Sequence, residues 1–161
     1  MGDTPWCYYK AGASTSCFVL QEDLQEPFSD SELSTMNEYF FANINIESKG
    51  GVVAAPDNDT PGGSYYFHWM RDGALTMRTV QETASNFTDI ESTMKTYVQW
   101  VINAQAESDP NGQDVRTATA LMIFADALIE NGQMDYVQQY LWTGDSSKYQ
   151  GGAIKRDLDY I

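Results

Sequence analysis

The chain has 161 residues, 42% hydrophobic and 13% aromatic, so it can bury the core of one globular domain. Nine Lys and Arg residues against 23 Asp and Glu residues give a formal charge of -14. This sign is opposite to the one that phosphate binding requires, so nucleic acid and anionic membrane surfaces are not expected partners. No apolar run reaches the roughly 18 to 20 residues of a membrane span.

The first 27 residues are predicted to be an N-terminal extension that carries both cysteines, Cys7 and Cys17. Their spacing fits one local disulfide in an oxidising compartment. The N-x-[ST] pattern of N-glycosylation occurs at Asn58 and at Asn86, which is also typical of secreted proteins. A secreted protein is therefore expected, although residues 1–20 have neither the basic nor the apolar segment of a signal peptide.

From Ser29 onward, apolar residues recur at the spacing of α-helices rather than that of strands. The first helix is predicted to begin at the capping box formed by Ser29 and Glu32. A loop rich in glycine and proline follows over residues 45–63, in which Gly51–Ala55 is the one segment expected to be extended. The second helix is predicted to begin at Asp72, with that side chain as its N-cap.

Three further helices and the start of another are predicted after residue 86, each from an apolar face at helical spacing. Their predicted spans are 88–108, about 115–131, 134–142 and 153–161. A capping box of Thr88 and Glu91 begins the third helix, and Gly132 ends the fourth. Successive helix hairpins without a residue-level repeat predict an all-α fold of five to six helices.

The most informative stretch is GVVAAPDNDTPGGSYYFHWMRDGAL, from Gly51 to Leu75. Its aromatic residues run directly into Arg71 and Asp72 at a predicted helix start. Glucose offers flat C–H faces to aromatic rings and hydroxyls to guanidinium and carboxylate groups, so this combination suits a sugar. The alternative interpretation is that Arg71 and Asp72 only begin a helix and that Tyr66 and Phe67 pack beneath the loop.

Two motifs in this stretch resemble those of the glucoamylase family, glycoside hydrolase family 15. Val52, Val53, Ala54, Ala55 and Pro56 match its V-V-A-S-P run. Tyr65, Trp69, Arg71 and Asp72 match its Y-x-Y-x-W-x-R-D run, with Phe67 where the family often has Tyr. Residues 118–121 are similar to its R-A-T-A-L helix and residues 157–161 to its N-D-L-x-Y-V segment, so the resemblance covers residues 28–161.

The resemblance implies part of an (α/α)6 barrel over residues 28–161 and a glucan 1,4-alpha-glucosidase activity. That activity is the inverting release of glucose from the non-reducing ends of α-1,4-glucans such as starch or glycogen. The resemblance also implies that Tyr65, Trp69, Arg71 and Asp72 bind the terminal glucose of an α-glucan or maltooligosaccharide. No cofactor and no metal are expected, and His68 is interpreted as a loop residue rather than a metal ligand.

The sequence departs from the family pattern in two ways that affect activity. The family's W-x-R-P-Q-x-D-G-P signature is missing between Asp109 and Arg116. The family's general acid is expected just after the helix that matches Ala153–Ile161, and its base lies farther downstream. No catalytic residue is therefore assigned, and the chain alone is expected to be inactive.

Two other interpretations stay open beside that of a truncated glucoamylase-type domain. One is a non-catalytic carbohydrate-binding relic, and the other is an all-α interaction module. The helix faces that carry Leu121, Ala125 and Leu128 are expected to lack packing partners in a partial barrel, which would make the chain marginally stable. The oligomeric state is left open.

Overall fold

The computed structural model describes residues 6–8, 16–18, 27–56, 63–107 and 114–160. The chain divides into two compact units, Met1–Glu38 and Tyr39–Ile161. In the first unit, strands β1 (Trp6–Tyr8) and β2 (Ser16–Phe18) form an antiparallel pair with Cys7 opposite Cys17. The sequence pattern does not predict this hairpin, because three-residue strands are too short to show alternation.

The described residues form six α-helices, which confirms the all-α prediction and agrees with part of an (α/α)6 barrel. The fifth helix continues into a π-helical turn over Val137–Leu141. The helices are α1 (Asp30–Ala42), α2 (Met70–Thr83), α3 (Phe87–Glu107), α4 (Val115–Glu130), α5 (Met134–Tyr136) and α6 (Ala153–Leu158). No helix among the described residues is long and apolar enough to cross a membrane.

Two of the predicted helix signals act as expected. The Ser29 amide donates to Glu32 Oε2 at 2.8 Å, and the Glu32 amide donates to Ser29 Oγ at 3.4 Å, which is a capping box. Gly132 follows α4 with a positive φ of 74°, and the next amide, that of Gln133, donates to the Leu128 carbonyl at 2.8 Å. This is the hydrogen bond of a glycine C-cap.

The predicted caps of the second and third helices are wrong. Helix α2 begins at Met70 with Trp69 at the N-cap, so Asp72 lies inside the first turn. Helix α3 begins at Phe87, and Asn86 Oδ1 accepts from the Asp89 amide at 3.2 Å in place of the Thr88 cap. Asn86 is itself a favoured N-cap residue, and it precedes Thr88 in the chain.

The end of the sixth helix also differs from the prediction. Helix α6 ends at Leu158, whereas the sequence pattern extends it to Ile161, which lies outside the described residues. The Asp159 side chain accepts from the Tyr149 amide at 2.8 Å and from Lys155 Nζ. These bonds tie the residue after the helix back to the preceding loop.

The core of the second unit surrounds α4, which packs against α2 and α6. Leu121 and Leu128 are fully buried and Ala125 is 7% exposed, so the expectation that these faces lack partners is wrong. Helix α2 on one side and α6 on the other supply the missing contacts. The apolar residues of α4 that remain exposed are instead Val115, Met122 and Ile129.

Candidate functional site

The predicted sugar-binding stretch begins with a segment that is held closely against α3. Asn45 Oδ1 accepts from the Gly50 amide at 2.9 Å, and the Val53 amide donates to the Asn43 carbonyl at 3.0 Å. Gly50 has a φ of +89°, and a Cβ atom there would lie 2.4 Å from the Thr96 carbonyl oxygen. Only glycine combines this conformation with this close approach. The segment Gly50–Val53 is thus held in one position against α3, and we refer to it below as the wall of the adjacent cavity.

A cavity of about 300 Å³ lies between this wall and the start of α2. Its size is at the lower end of the range for small-molecule sites. Trp69 and Asp72, two of the four predicted sugar-binding residues, both line it. The lining residues are Phe40, Asn43, Val52, Val53, Ala54, Trp69, Asp72, Gly73 and Thr76.

Arg71 and Asp72 form an ion pair at the edge of this cavity. Arg71 Nη2 lies 3.0 Å from Asp72 Oδ1 and 3.3 Å from Oδ2, and Nε lies 3.1 Å from Oδ1. Both side chains are exposed, 63% for Arg71 and 44% for Asp72, so they can still bond to a ligand. The first turn of α2 also favours the negative charge of Asp72, because the backbone amides there point towards it.

Trp69 and Tyr65 differ in their relation to the cavity. Trp69 precedes α2 in an extended conformation, lines the cavity and is 51% exposed as a residue. Tyr65 is also exposed, but it is not among the lining residues, and its carbonyl accepts from the Ala55 amide at 3.3 Å. The structure therefore brings Trp69, Arg71 and Asp72 together and places Tyr65 beside the segment that follows the wall.

The sequence pattern missed the role of His68. Its Nδ1 atom accepts from the Val52 amide at 3.0 Å, and its ring lies 3.8 Å from that of Trp100 between centroids. Burial lowers the pKa of His68 to about 4, so the ring is neutral at neutral pH. A single sequence contains no signal for this contact, because Val52 and His68 are 16 positions apart and joined only by the fold.

A second bond holds the same loop from its outer side. The Tyr66 hydroxyl donates to Glu47 Oε1 at 3.3 Å, and Lys49 pairs with the same carboxylate. The Lys49 ammonium and these hydrogen bonds lower the pKa of Glu47. Tyr66 and His68 thus anchor the loop on opposite sides, one at the surface and one in the interior.

The other predicted sites lie elsewhere. Asn86 is exposed and carries its cap interaction through Oδ1, whereas Asn58 lies outside the described residues. Cys7 and Cys17 face each other in the register of the hairpin. Among the described residues, no group of three or more His, Cys, Asp or Glu side chains could hold a metal ion.

Two larger grooves do not combine aromatic and charged groups in this way. One, of about 600 Å³, is lined by residues of α3 and has no aromatic side chain among its lining residues. The other, of about 510 Å³, contains Trp142 beside Ile129 and Met134 but no charged side chain. A smaller cavity of about 210 Å³ contains Tyr140, Tyr149 and Arg156, but it lies outside the predicted sugar-binding stretch. The cavity beside Trp69 combines aromatic and charged groups within that stretch and is therefore the candidate site.

A comparison with protein families identifies one match. The family model of glycosyl hydrolases family 15 matches residues 36–149, which include both walls of the cavity and helices α2 to α5. Among curated proteins and among solved structures, none matches the chain significantly.

Proposed function

The chain belongs to glycosyl hydrolases family 15, and on this basis we propose that the cavity beside Trp69 binds the terminal glucose unit of an α-1,4-glucan. The polymer would be starch, glycogen or a maltooligosaccharide released from them. The family's inverting release of glucose is the reaction to which such binding belongs. We propose that the protein is secreted and meets such polymers outside the cell.

One observation carries the proposal. Trp69 and Asp72 line the same cavity, and the Arg71 guanidinium grips the Asp72 carboxylate at its edge. An aromatic ring can stack on the C–H face of a glucose, while the ion pair offers donors and acceptors to its hydroxyls. Since the pair is exposed, a sugar can share these hydrogen bonds without separating two buried charges.

The same cavity supports binding without hydrolysis. Inverting hydrolysis requires a general acid and a general base, roughly 6.5 to 9.5 Å apart. Among the described residues that line the cavity, Asp72 is the one carboxylate, and it is paired with Arg71. We therefore propose that these residues recognise the sugar and that the chain by itself does not cleave it.

The test is calorimetric titration of the purified chain with maltose and acarbose, beside an assay for glucose release from maltotriose. We expect binding without release. Trp69→Ala should weaken binding about tenfold or more, because it removes the stacking surface. Arg71→Ala should weaken binding as well, because the donors to the sugar hydroxyls are lost.

Matched variants make the result specific. Trp142 is 45% exposed but lies in the groove of about 510 Å³ described above. Arg78 pairs with Glu82 on the same helix as Arg71. Trp142→Ala and Arg78→Ala should leave affinity unchanged. The proposal fails if the chain binds neither sugar, or if the control variants lose as much affinity as the site variants. Glucose release would overturn the non-catalytic part alone.

A further inference from the structure

His68 lies behind the cavity rather than inside it. It is not among the lining residues, and its ring packs on α3, 3.8 Å from Trp100 and 6.4 Å from Tyr97 between ring centroids. Tyr97 and Trp100 are themselves stacked, with an angle of 8° between their rings. The imidazole is therefore fixed in place by two large side chains that are not among the lining residues of the cavity.

The imidazole contacts both walls of the cavity. On one side, Nδ1 accepts from the Val52 amide at 3.0 Å, and the backbone of His68 pairs with that of Val53. On the other side, Cε1 lies so close to α2 that a Cβ atom on Gly73 would be 2.4 Å away. Val52, Val53 and Gly73 all line the cavity, and His68 directly precedes Trp69.

The hydrogen bond to Val52 requires the neutral form of the ring. Because Nδ1 accepts, the proton of the neutral ring is on Nε2, which is buried without a hydrogen-bond partner among the described residues. No charged group contributes to the low pKa of His68, which burial causes. The Val52 amide is therefore held by a neutral acceptor rather than by an ion.

We propose that His68 is a positioning residue of the sugar cavity: its Nδ1 atom holds the Val52–Val53 part of the wall in place beside Trp69 through the hydrogen bond to the Val52 amide. This role rests on the proposed sugar binding, because the wall held in this way is one side of the cavity that the sugar would enter. His68 itself makes no contact with the sugar. The bond from Tyr66 to Glu47 lies at the surface and involves neither Val52 nor Val53.

The experiment compares two substitutions at the same position. His68→Phe keeps an aromatic ring against Trp100 but removes the acceptor of the Val52 amide. His68→Asn removes the ring but offers an amide oxygen near the position of Nδ1. Tyr66→Phe, which removes the outer bond of the loop, is the control. Each variant is measured by maltose titration and by hydrogen exchange of the Val52 amide, with circular dichroism to verify folding.

We expect His68→Phe to weaken maltose binding about tenfold and to speed exchange at Val52, because a part-buried amide loses its acceptor. His68→Asn should bind within about threefold of the unsubstituted chain and keep Val52 protected, since one neutral acceptor replaces another. Tyr66→Phe should change neither measurement. Rescue by asparagine distinguishes positioning through Val52 from a general effect of losing the imidazole.

Three results would overturn this role. The first is a His68→Phe variant that binds maltose normally, and the second is Val52 exchange that does not respond to the loss of the acceptor. The third is a His68→Asn variant that protects Val52 but has lost the sugar. If the unsubstituted chain binds no sugar, the proposed function is wrong. The exchange data then still show whether His68 holds the wall.

Discussion

Gln105 on α3 and Asp157 on α6 are joined by a buried hydrogen bond of 2.7 Å between Nε2 and Oδ1, across 52 positions of the chain. The same Asp157 oxygen accepts from the Asp114 amide at the start of α4, at 3.3 Å. Gln105 also donates to the Ala153 carbonyl at 3.0 Å. Three helices therefore meet at one fully buried carboxyl group, and its protonation state must affect stability.

The protonated form of Asp157 is favoured in the folded chain. Burial raises the pKa of this group to about 7, although the bonds from Gln105 and the Asp114 amide and the charge of Arg156 oppose the shift. In the unfolded chain the Asp157 carboxyl group has its ordinary pKa of 3.8. Between these values the folded state holds a proton that the unfolded state does not, so stability decreases as pH rises from about 4 to about 7.

Asp157→Asn is therefore expected to stabilise the chain at alkaline pH. The asparagine keeps an acceptor for Gln105 and for the Asp114 amide but has no charge to bury. The free energy of unfolding of the variant should exceed that of the unsubstituted chain by an amount that grows by up to about 1.4 kcal/mol per pH unit between pH 4 and 7. Urea unfolding at about pH 4.5, 6 and 8 measures this difference.

The difference in unfolding free energy between the Asp157→Asn variant and the unsubstituted protein does not contain the contributions of other titrating groups, because both proteins have them. The effect of pH through His68 has the opposite sign, because its pKa of about 4 lies below the ordinary value of 6.5 for histidine, so its contribution to stability is lost as pH falls from about 6.5 to about 4. It is present in both proteins. A difference that stays constant from acid to alkaline pH would show that Asp157 is ionised in the folded state throughout.

Gly50 and Gly144 allow the cost of a close contact to be separated from that of backbone conformation. Their φ angles are +89° and +84°, but a Cβ atom on Gly50 would lie 2.4 Å from the Thr96 carbonyl oxygen, whereas nothing lies within 4 Å of one on Gly144. Gly144→Ala should cost about 1 to 2 kcal/mol for the left-handed conformation. Gly50→Ala should cost about 3 kcal/mol or more, because backbone must also move.

Thermal or urea unfolding of the two variants checks this expectation, and maltose titration of the folded fraction adds a second measure. Gly50 begins the wall of the cavity, so its substitution should also weaken sugar binding. Gly144 belongs neither to that wall nor to the lining of the cavity, and its substitution should not weaken sugar binding. Equal destabilisation by the two variants would mean that the Gly50 segment can move away from α3 without cost.

The features that the sequence predicted well are those decided by neighbouring residues. The capping box at Ser29 and the glycine stop at Gly132 each depend on side chains within a few positions. The apolar periodicity of α3 and α4 reflects one buried face, since Met94, Val98, Leu121 and Leu128 are all fully buried. Such signals are complete within one turn or one face of a helix.

The sequence-based predictions were wrong at two kinds of position. At one kind, two neighbouring residues could each begin the helix, and at the other, contacts with distant segments determine whether a side chain is buried. Asp72 is a good N-cap residue, but the chain bends one turn earlier at Trp69, and the carboxylate bonds to Arg71 instead. The burial of Ala125 depends on partners in other helices, as does the bond between His68 and Val52. The sequence motif indicated the residues of the cavity, but only the fold shows that Tyr65 lies outside it.

The N-terminal hairpin leads to a prediction about Cys7 and Cys17. The two residues are Cα partners in an antiparallel pair, where opposite Cα atoms are about 4.5 to 5.5 Å apart. This separation falls within the range of disulfides, roughly 4.4 to 6.8 Å. We expect the protein to form the disulfide between Cys7 and Cys17 when it is secreted into an oxidising compartment. Its intact mass should then be two hydrogens lower before reduction than after it.

Alkylation under native and reducing conditions provides the control for that mass. A single Cys7→Ser variant should expose one reactive thiol at Cys17 that the unsubstituted, oxidised chain does not have. Two thiols that react in the oxidised and folded chain would contradict the disulfide. Their presence would also remove one of the two signals for a secreted protein, leaving only the sequons at Asn58 and Asn86.

The contact between Gly73 and His68 predicts that substitutions at the two positions are strongly coupled. Alanine is favoured over glycine within a helix by roughly 1 kcal/mol, so Gly73→Ala would ordinarily stabilise α2. In this chain the new Cβ atom would lie 2.4 Å from His68 Cε1. We therefore expect Gly73→Ala to cost about 1 to 3 kcal/mol, because the imidazole is held by Trp100 and Val52 and must be displaced.

The same substitution should be tolerated when the imidazole is absent. Asparagine at position 68 has no atom in the place of Cε1, so Gly73→Ala in the His68→Asn chain should be neutral or stabilising. The four proteins form a double-mutant cycle, and urea unfolding should give a coupling free energy of about 1 to 3 kcal/mol. Additive effects would mean that the imidazole ring can move away from Gly73 without cost.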